Sequence, residues 1–205
     1  MAERNLKILL ADETDARMHL LRATLIECGF TEIICVSRCE DLLDRVYEAN
    51  PDLILIDVES PRRDTLEQLS LIQEWRPKPV ILFTQDQKVQ TIEAAIRSGV
   101  SAYVTSGISP GEVRPALDVA MATFRNFQGL RQELNSVRTD LAESKLIQRA
   151  KGLVMDHQKL TEDQAHHLLR RIAMNRKIKL ADLAREILSA NGWQNRVRQV
   201  YEKLL

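Results

Sequence analysis

Five short apolar runs, each followed by a stretch of helical periodicity, constrain this chain most. They are Leu6–Ala11 (LKILLA), Thr31–Val36, Asp52–Asp57 (DLILID), Pro79–Thr84 (PVILFT) and Ser101–Thr105 (SAYVT). Continuous apolarity over so few residues fits strands covered on both faces, as in a parallel sheet. Between them, apolar residues recur at helical steps: Met18, Leu21, Leu25 and Ile26; Leu42, Leu43 and Val46; Leu66, Leu69 and Ile72; Ile92, Ala95 and Ile96. Gly29, Asn50-Pro51 and Gly99 close three of these helices, and Pro110 sits in the first turn of a further one. Strand and helix alternating five times within about 125 residues predict an α/β fold, a doubly wound five-stranded parallel sheet.

In such a sheet the working crevice lies beyond the C-terminal ends of the strands. Asp12, Glu13, Asp57, Thr84 and Thr105-Ser106 fall there. Three carboxylates in one crevice repel each other unless a cation sits among them, and hard oxygen ligands suit Mg²⁺. A carboxylate beside Mg²⁺ can attack a phosphoryl group while a nearby hydroxyl holds its oxygens. The plainer reading is a set of polar strand ends, which every such sheet has.

These positions resemble the receiver domain of two-component response regulators, over about residues 5–125. The resemblance implies a phosphoacceptor at Asp57, Mg²⁺ ligands at Asp12, Glu13 and Asp57, a switch hydroxyl at Thr84 and a switch aromatic at Tyr103. One departure matters. The family places a Lys directly after the fifth strand, where this chain has Ser106 and Gly107. A charge-assisted contact to an acyl phosphate, typically about 1.5–3 kcal/mol, is thereby lost. The string SPRRDTLEQL at 60–69 and the missing Lys also resemble NasT-type regulators of nitrate assimilation. That implies control by a nitrate-binding sensor protein more than by phosphorylation.

From Glu112 to about Asp156 helical periodicity hardly breaks. Val113, Leu117, Ala120, Phe124 and Phe127 form one stripe, and Leu130, Leu134, Val137 and Leu141 continue it with a shift near Gly129. A seam on a helix leaving a globular domain reads as a coiled coil, hence a homodimer. The alternative is a helix folded back on its own receiver.

Residues 148–188 carry three short helical patterns. Ala150, Leu153, Val154 and Met155 end the long helix, which fails near His157. Thr161 caps a second helix, with Glu162 and Asp163 in its first turn and a stripe of Ala165, Leu168, Leu169, Ile172 and Ala173. A third starts near Leu180 and stops at Asn191-Gly192. The string RAKGLVMDHQKLTEDQAHHLLRRIAMNRKIKLADLAREIL resembles the ANTAR domain, the RNA-binding output module of antitermination regulators. It implies binding to hairpins in leader transcripts. The basic residues expected on its RNA face are Arg149, Lys151, Arg170, Arg171, Arg176 and Lys179, together with Thr161. The tail Trp193–Leu205 reads as a closing helix.

Charge is unevenly spread. Residues 1–130 hold 14 basic and 20 acidic side chains, and residues 131–205 hold 15 and 9. A basic second part suits a nucleic-acid partner. The expected organisation is a receiver-like domain at 1–125, a coiled-coil linker helix at 126–147 and an all-α three-helix RNA-binding module at 148–205. Three cysteines without a signal peptide argue against disulfides, and His166-His167 lacks companion ligands. No apolar run reaches the roughly 18 residues of a membrane span, so a cytoplasmic location is expected, with no membrane partner. No enzyme constellation is present beyond the phosphoryl site. The first function is an RNA-binding antitermination regulator, with nitrate or nitrite assimilation transcripts as targets. The competing one is a phosphorylation-controlled response regulator that binds DNA through a helix-turn-helix. A receiver-only adaptor is a third, weaker class.

Overall fold

The structure is a computed structural model and describes residues 6–12, 14–37, 41–105 and 109–189. The readings for Glu13, Cys39, Ser106-Gly107, the Asn191-Gly192 stop and the Trp193–Leu205 tail lie outside these residues. The chain divides into two compact units, Met1–Gly129 and Leu130–Leu205.

The first unit is the expected sheet. Its strands are β1 (Ile8–Asp12), β2 (Ile33–Val36), β3 (Leu53–Asp57), β4 (Val80–Phe83) and β5 (Ala102–Val104). All pair in parallel, in the order β2-β1-β3-β4-β5. Every residue of β1, β3 and β4 is buried, which is why these runs are apolar throughout. Helices α1 (Asp15–Glu27), α2 (Leu42–Ala49), α3 (Arg63–Trp75), α4 (Val89–Arg97) and the start of α5 (Pro110–Gln158) cover the two faces. Leu9, Ala11, Ile54, Ile56 and Leu82 pack with Leu42 and Val46 of α2, Leu69 and Ile72 of α3 and Ala95 of α4. Ile8, Leu10, Leu55, Ile81 and Phe83 pack with Leu21 and Leu25 of α1 and Val113, Leu117 and Ala120 of α5. Successive strand residues thus feed opposite cores, as the two-residue period requires. Gly99 ends α4 at φ +93°, and a Cβ there would collide with the Gln73 side chain, so glycine is needed on both counts.

Helix α5 runs for 49 residues without a break. Its apolar seam does not behave as one unit. Val113, Leu117 and Ala120 belong to the receiver core, so here the folded-back reading holds. Phe127, Leu130, Leu134, Val137 and Leu141 are exposed on the single chain.

In the second unit, α6 (Glu162–Arg176) and α7 (Leu180–Leu188) pack with the end of α5. Ala150 and Val154 of α5 meet Ala165, Leu168, Leu169, Ile172 and Ala173 of α6 and Leu183, Ala184 and Ile187 of α7. Leu146 and Ile147 also pack against this core. Thr161 caps α6 through a capping box: its hydroxyl accepts from the Gln164 backbone, and the Gln164 side chain accepts from the Thr161 backbone. Lys177, at φ 53°, ends α6 in the left-handed region. No described helix is long and apolar enough to cross a membrane.

Candidate phosphoacceptor pocket and nucleic-acid interface

Strand register assembles the acid pocket. Asp12 at the end of β1 pairs in register with Asp57 at the end of β3, and Asp57 with Phe83, one residue before Thr84. Both carboxylates are buried, Asp57 completely. Asp12 Oδ1 accepts a 2.7 Å hydrogen bond from the Thr14 backbone, which tightens the turn into α1. That turn delivers a residue the sequence reading passed over. Arg17, in the first turn of α1, forks onto Asp57: Nε donates to Oδ2 at 3.0 Å and Nη2 to Oδ1 at 2.6 Å. Burial pushes the Asp57 carboxyl up to about 6, and the charge of Asp12 adds to the rise, while Arg17 pulls against it.

Thr84 and Tyr103, the expected switch residues, both bond to the backbone of Asp86. Thr84 Oγ1 donates to the Glu59 carbonyl at 2.7 Å and accepts from the Asp86 backbone at 3.2 Å. The Tyr103 hydroxyl donates to the Asp86 carbonyl at 2.7 Å. The Asp86 carboxylate in turn accepts from the Lys88 backbone at 2.9 Å, from Ser60 at 2.7 Å and from Thr91 at 3.2 Å. These bonds, the one from Lys88 foremost, hold Asp86 below the usual carboxylate range. Asp86 ties the β3–α3 and β4–α4 loops together. An Asp three residues after a strand and just ahead of a helix is a readable turn signal, but nothing in the chain points it at Ser60.

Asp12 and Asp57 are the described part of the expected Mg²⁺ set. Their charge and oxygen chemistry suit the ion. Both Asp57 oxygens, however, already accept from Arg17, and no group of three or more His, Cys, Asp or Glu gathers among the described residues. As they stand, these residues do not leave Asp57 open to a metal.

A family model for the response regulator receiver domain matches residues 8–118, more than half of the chain. The chain belongs to the response regulator receiver family. A second model, the ANTAR domain, matches residues 135–188, so the receiver is followed by an ANTAR domain. The transcriptional regulatory protein PdtaR of Mycobacterium tuberculosis is 29% identical over 187 residues, 91% of this chain and 91% of that protein. Solved structures similar to the receiver include a CheY-like response regulator receiver domain from Methanospirillum hungatei (TM-score 0.52, 18% identity, 60% of this chain, 98% of that chain). Another is the receiver domain of an HD domain-containing protein from Pseudomonas fluorescens (TM-score 0.52, 23% identity, 60% and 99%). At these identities they report the fold alone.

In the ANTAR domain the expected basic set separates by environment. Arg149, Arg170, Arg171 and Lys179 are exposed and have no ion pair among the described residues, as are Lys159 and Lys177. Lys151 differs. It is 8% exposed, and its ammonium contacts Glu162 Oε1 at 2.5 Å, tying α5 to the first turn of α6. Expected as an exposed phosphate contact, Lys151 instead lies on the buried face one residue beyond Ala150. Arg176 forks onto Glu186 at 2.7 and 3.2 Å, joining α6 to α7, and Thr161 is occupied by its cap. The exposed face of α6 also borders an open concavity of about 660 Å³, lined by Leu160, Gln164, His167, Arg170, Arg171, Met174 and Asn175 among others.

Proposed function

We propose that this response regulator acts on RNA, binding hairpins in leader transcripts through its ANTAR domain and so preventing the terminator from forming. The observation that carries the reading is the α6 face. Arg170 and Arg171 border a concavity whose other walls mix Leu160, Leu168 and Met174 with His167, the amides Gln164 and Asn175 and one carboxylate, Asp163. Unpaired bases offer flat faces and polar edges, and this surface offers guanidinium planes, apolar contact and amide donors and acceptors. Arg149, Lys159, Lys177 and Lys179 add charge for the phosphate backbone. Arg176, Lys151 and Thr161 serve the RNA indirectly by holding the helices that carry this face.

The exposed seam Phe127–Leu141 supports a homodimer. Five large apolar side chains along one helix face suit a second copy of the same helix. A dimer presents two ANTAR domains to two hairpins, with avidity set by their spacing. Control comes from a sensor protein of the nitrate-binding type, and the targets are transcripts for nitrate or nitrite assimilation. This part rests on the NasT-like string at 60–69 and the Ser at position 106.

The experiment is a gel shift with full-length protein and no phosphodonor, using leader RNA from adjacent nitrate genes against duplex DNA of the same sequence. The expected result is retention of the RNA at low salt, falling steeply as salt is added, and little retention of the duplex. Preferential retention of the DNA establishes the helix-turn-helix alternative. A strict need for acetyl phosphate overturns partner control. Leu134→Asp with Leu141→Asp is expected to sediment as a monomer and to lose the two-hairpin avidity.

A further inference from the structure

The acid pocket of the receiver already contains a cation, supplied by the chain itself. We propose that Arg17 is the resident cation of this pocket, neutralising Asp57 in the place a divalent metal ion would occupy and keeping that ion out.

The geometry is that of a built pair. Two parallel bonds of 3.0 and 2.6 Å occupy both Asp57 oxygens, the strongest common arrangement between a guanidinium and a carboxylate. Asp57 is fully buried and the Arg17 side chain is 30% exposed, so the pair is far less screened than a surface bridge. The fork is held in place from the backbone. Thr14 N–H on Asp12 fixes the turn, α1 starts at Asp15, and the neighbouring Met18 is buried in the core. Arg17 therefore meets Asp57 without a long mobile approach.

Charge balance points the same way. Two buried acids meet at the ends of β1 and β3, and the position beyond β5 at which the receiver family places a Lys is Ser106. Arg17, from the opposite side of the sequence, supplies the missing positive charge. A metal ion arriving at Asp57 would face this guanidinium at close range and would have to displace it. Mg²⁺ also demands a near-ideal set of oxygen ligands and gives up its waters reluctantly, which makes that exchange harder. The hydroxyl expected to serve a phosphoryl group is committed elsewhere, since Thr84 donates its proton to the Glu59 carbonyl.

This inference deepens the partner-controlled reading of the receiver and does not depend on the RNA assignment; its test contains neither RNA nor phosphodonor. Full-length wild type, Arg17→Met, Arg17→Lys and the double variant Arg17→Met/Asp57→Asn are titrated with MgCl₂ at pH 8. Thermal unfolding midpoints and calorimetric binding are read. In EDTA the Arg17→Met protein is expected to unfold below wild type, and Mg²⁺ to restore it while leaving wild type unchanged. Its Mg²⁺ affinity should exceed that of wild type by about tenfold or more, the equivalent of one lost charge-assisted pair. The double variant should lose the response, because Asp57 no longer carries the charge. Arg17→Lys retains a charge but cannot fork both oxygens, and should fall between; it carries the comparison if Arg17→Met folds only in Mg²⁺. Equal Mg²⁺ affinity in wild type and Arg17→Met, or an Arg17→Met protein that ignores Mg²⁺, overturns the proposal.

Discussion

The receiver and the ANTAR domain use charge in opposite ways. In the receiver the charges of the candidate site are individually matched: buried Asp57 with Arg17, buried Asp12 with the turn into α1, and half-buried Asp86 with Ser60, Thr91 and Lys88. In the ANTAR domain most basic side chains face solvent, with a compact apolar core behind them. A buried charge needs one particular partner, and its loss changes the protonation or stability of what remains. An exposed charge is nearly interchangeable with its neighbours in folding, so its identity is set by what it meets outside the chain. Lys151 and Arg176 cross this division, since they are basic residues of the second unit with fixed internal partners.

The comparison breaks most visibly on the outer face. Arg170→Glu with Arg171→Glu is expected to weaken hairpin binding by about a hundredfold or more at moderate salt and to flatten the salt dependence by about two contacts. Stability, measured by urea unfolding, should move by no more than about 0.5 kcal/mol. A large loss of stability in this pair would show that outward charge is as tightly matched as inward charge.

The receiver gives the next effect, with a definite sign. The folded pKa of Asp57, about 6, lies above the roughly 3.9 of an unfolded Asp. The folded state therefore holds this proton more tightly, and the contribution is fully present below about pH 4 and lost as pH rises through about 6. Asp57→Asn should remove that slope and stabilise the protein at pH 7 by on the order of 1–3 kcal/mol, with no gain below about pH 4. Arg17, partly exposed, then turns to water. Denaturant melts across this range decide it, and a variant less stable than wild type at pH 7 would mean that the Arg17 pair outweighs burial.

The smallest effect sharpens the contrast within one turn of α5. Lys151→Ala should cost about 1–2 kcal/mol through its buried stem and lost pair, and lower RNA affinity only as folding is lost. Arg149→Ala, two residues earlier and exposed, should stay within about 0.5 kcal/mol while weakening RNA binding directly. Equal stability of the two variants would place Lys151 back on the surface set.

These contrasts were only partly legible beforehand. The sheet could be read because all its inner strands are covered on both faces, so unbroken runs such as DLILID have one reading. Asp12, Asp57 and Thr84 could be read because a doubly wound sheet fixes where strand ends go. Arg17 could not be paired with Asp57 by spacing, since 40 residues separate them. A basic residue in the first turn after an acid-tipped strand was nevertheless a usable signal. Lys151 carried a clearer one. Ile147, Ala150 and Val154 mark the inward stripe of α5, and 151 falls on the same side of the helix. The stripe on α5 could be read as apolar but not apportioned from periodicity alone, which shows that a face is apolar and not which neighbour covers it. Its first three positions are claimed by the sheet, and its later ones are left bare.

The Arg17 fork also bears on how long a response lasts. A phosphorylated receiver keeps a covalent record of its stimulus, and the record persists until the acyl phosphate hydrolyses. A guanidinium on a carboxylate stores nothing. It opens and closes on the scale of side-chain motion and leaves no mark behind. If a protein partner controls the receiver, as proposed above, the duration of signalling is set by the dissociation rate of that partner and not by the chemistry of an aspartate, and the regulator would track its signal without memory of an earlier one.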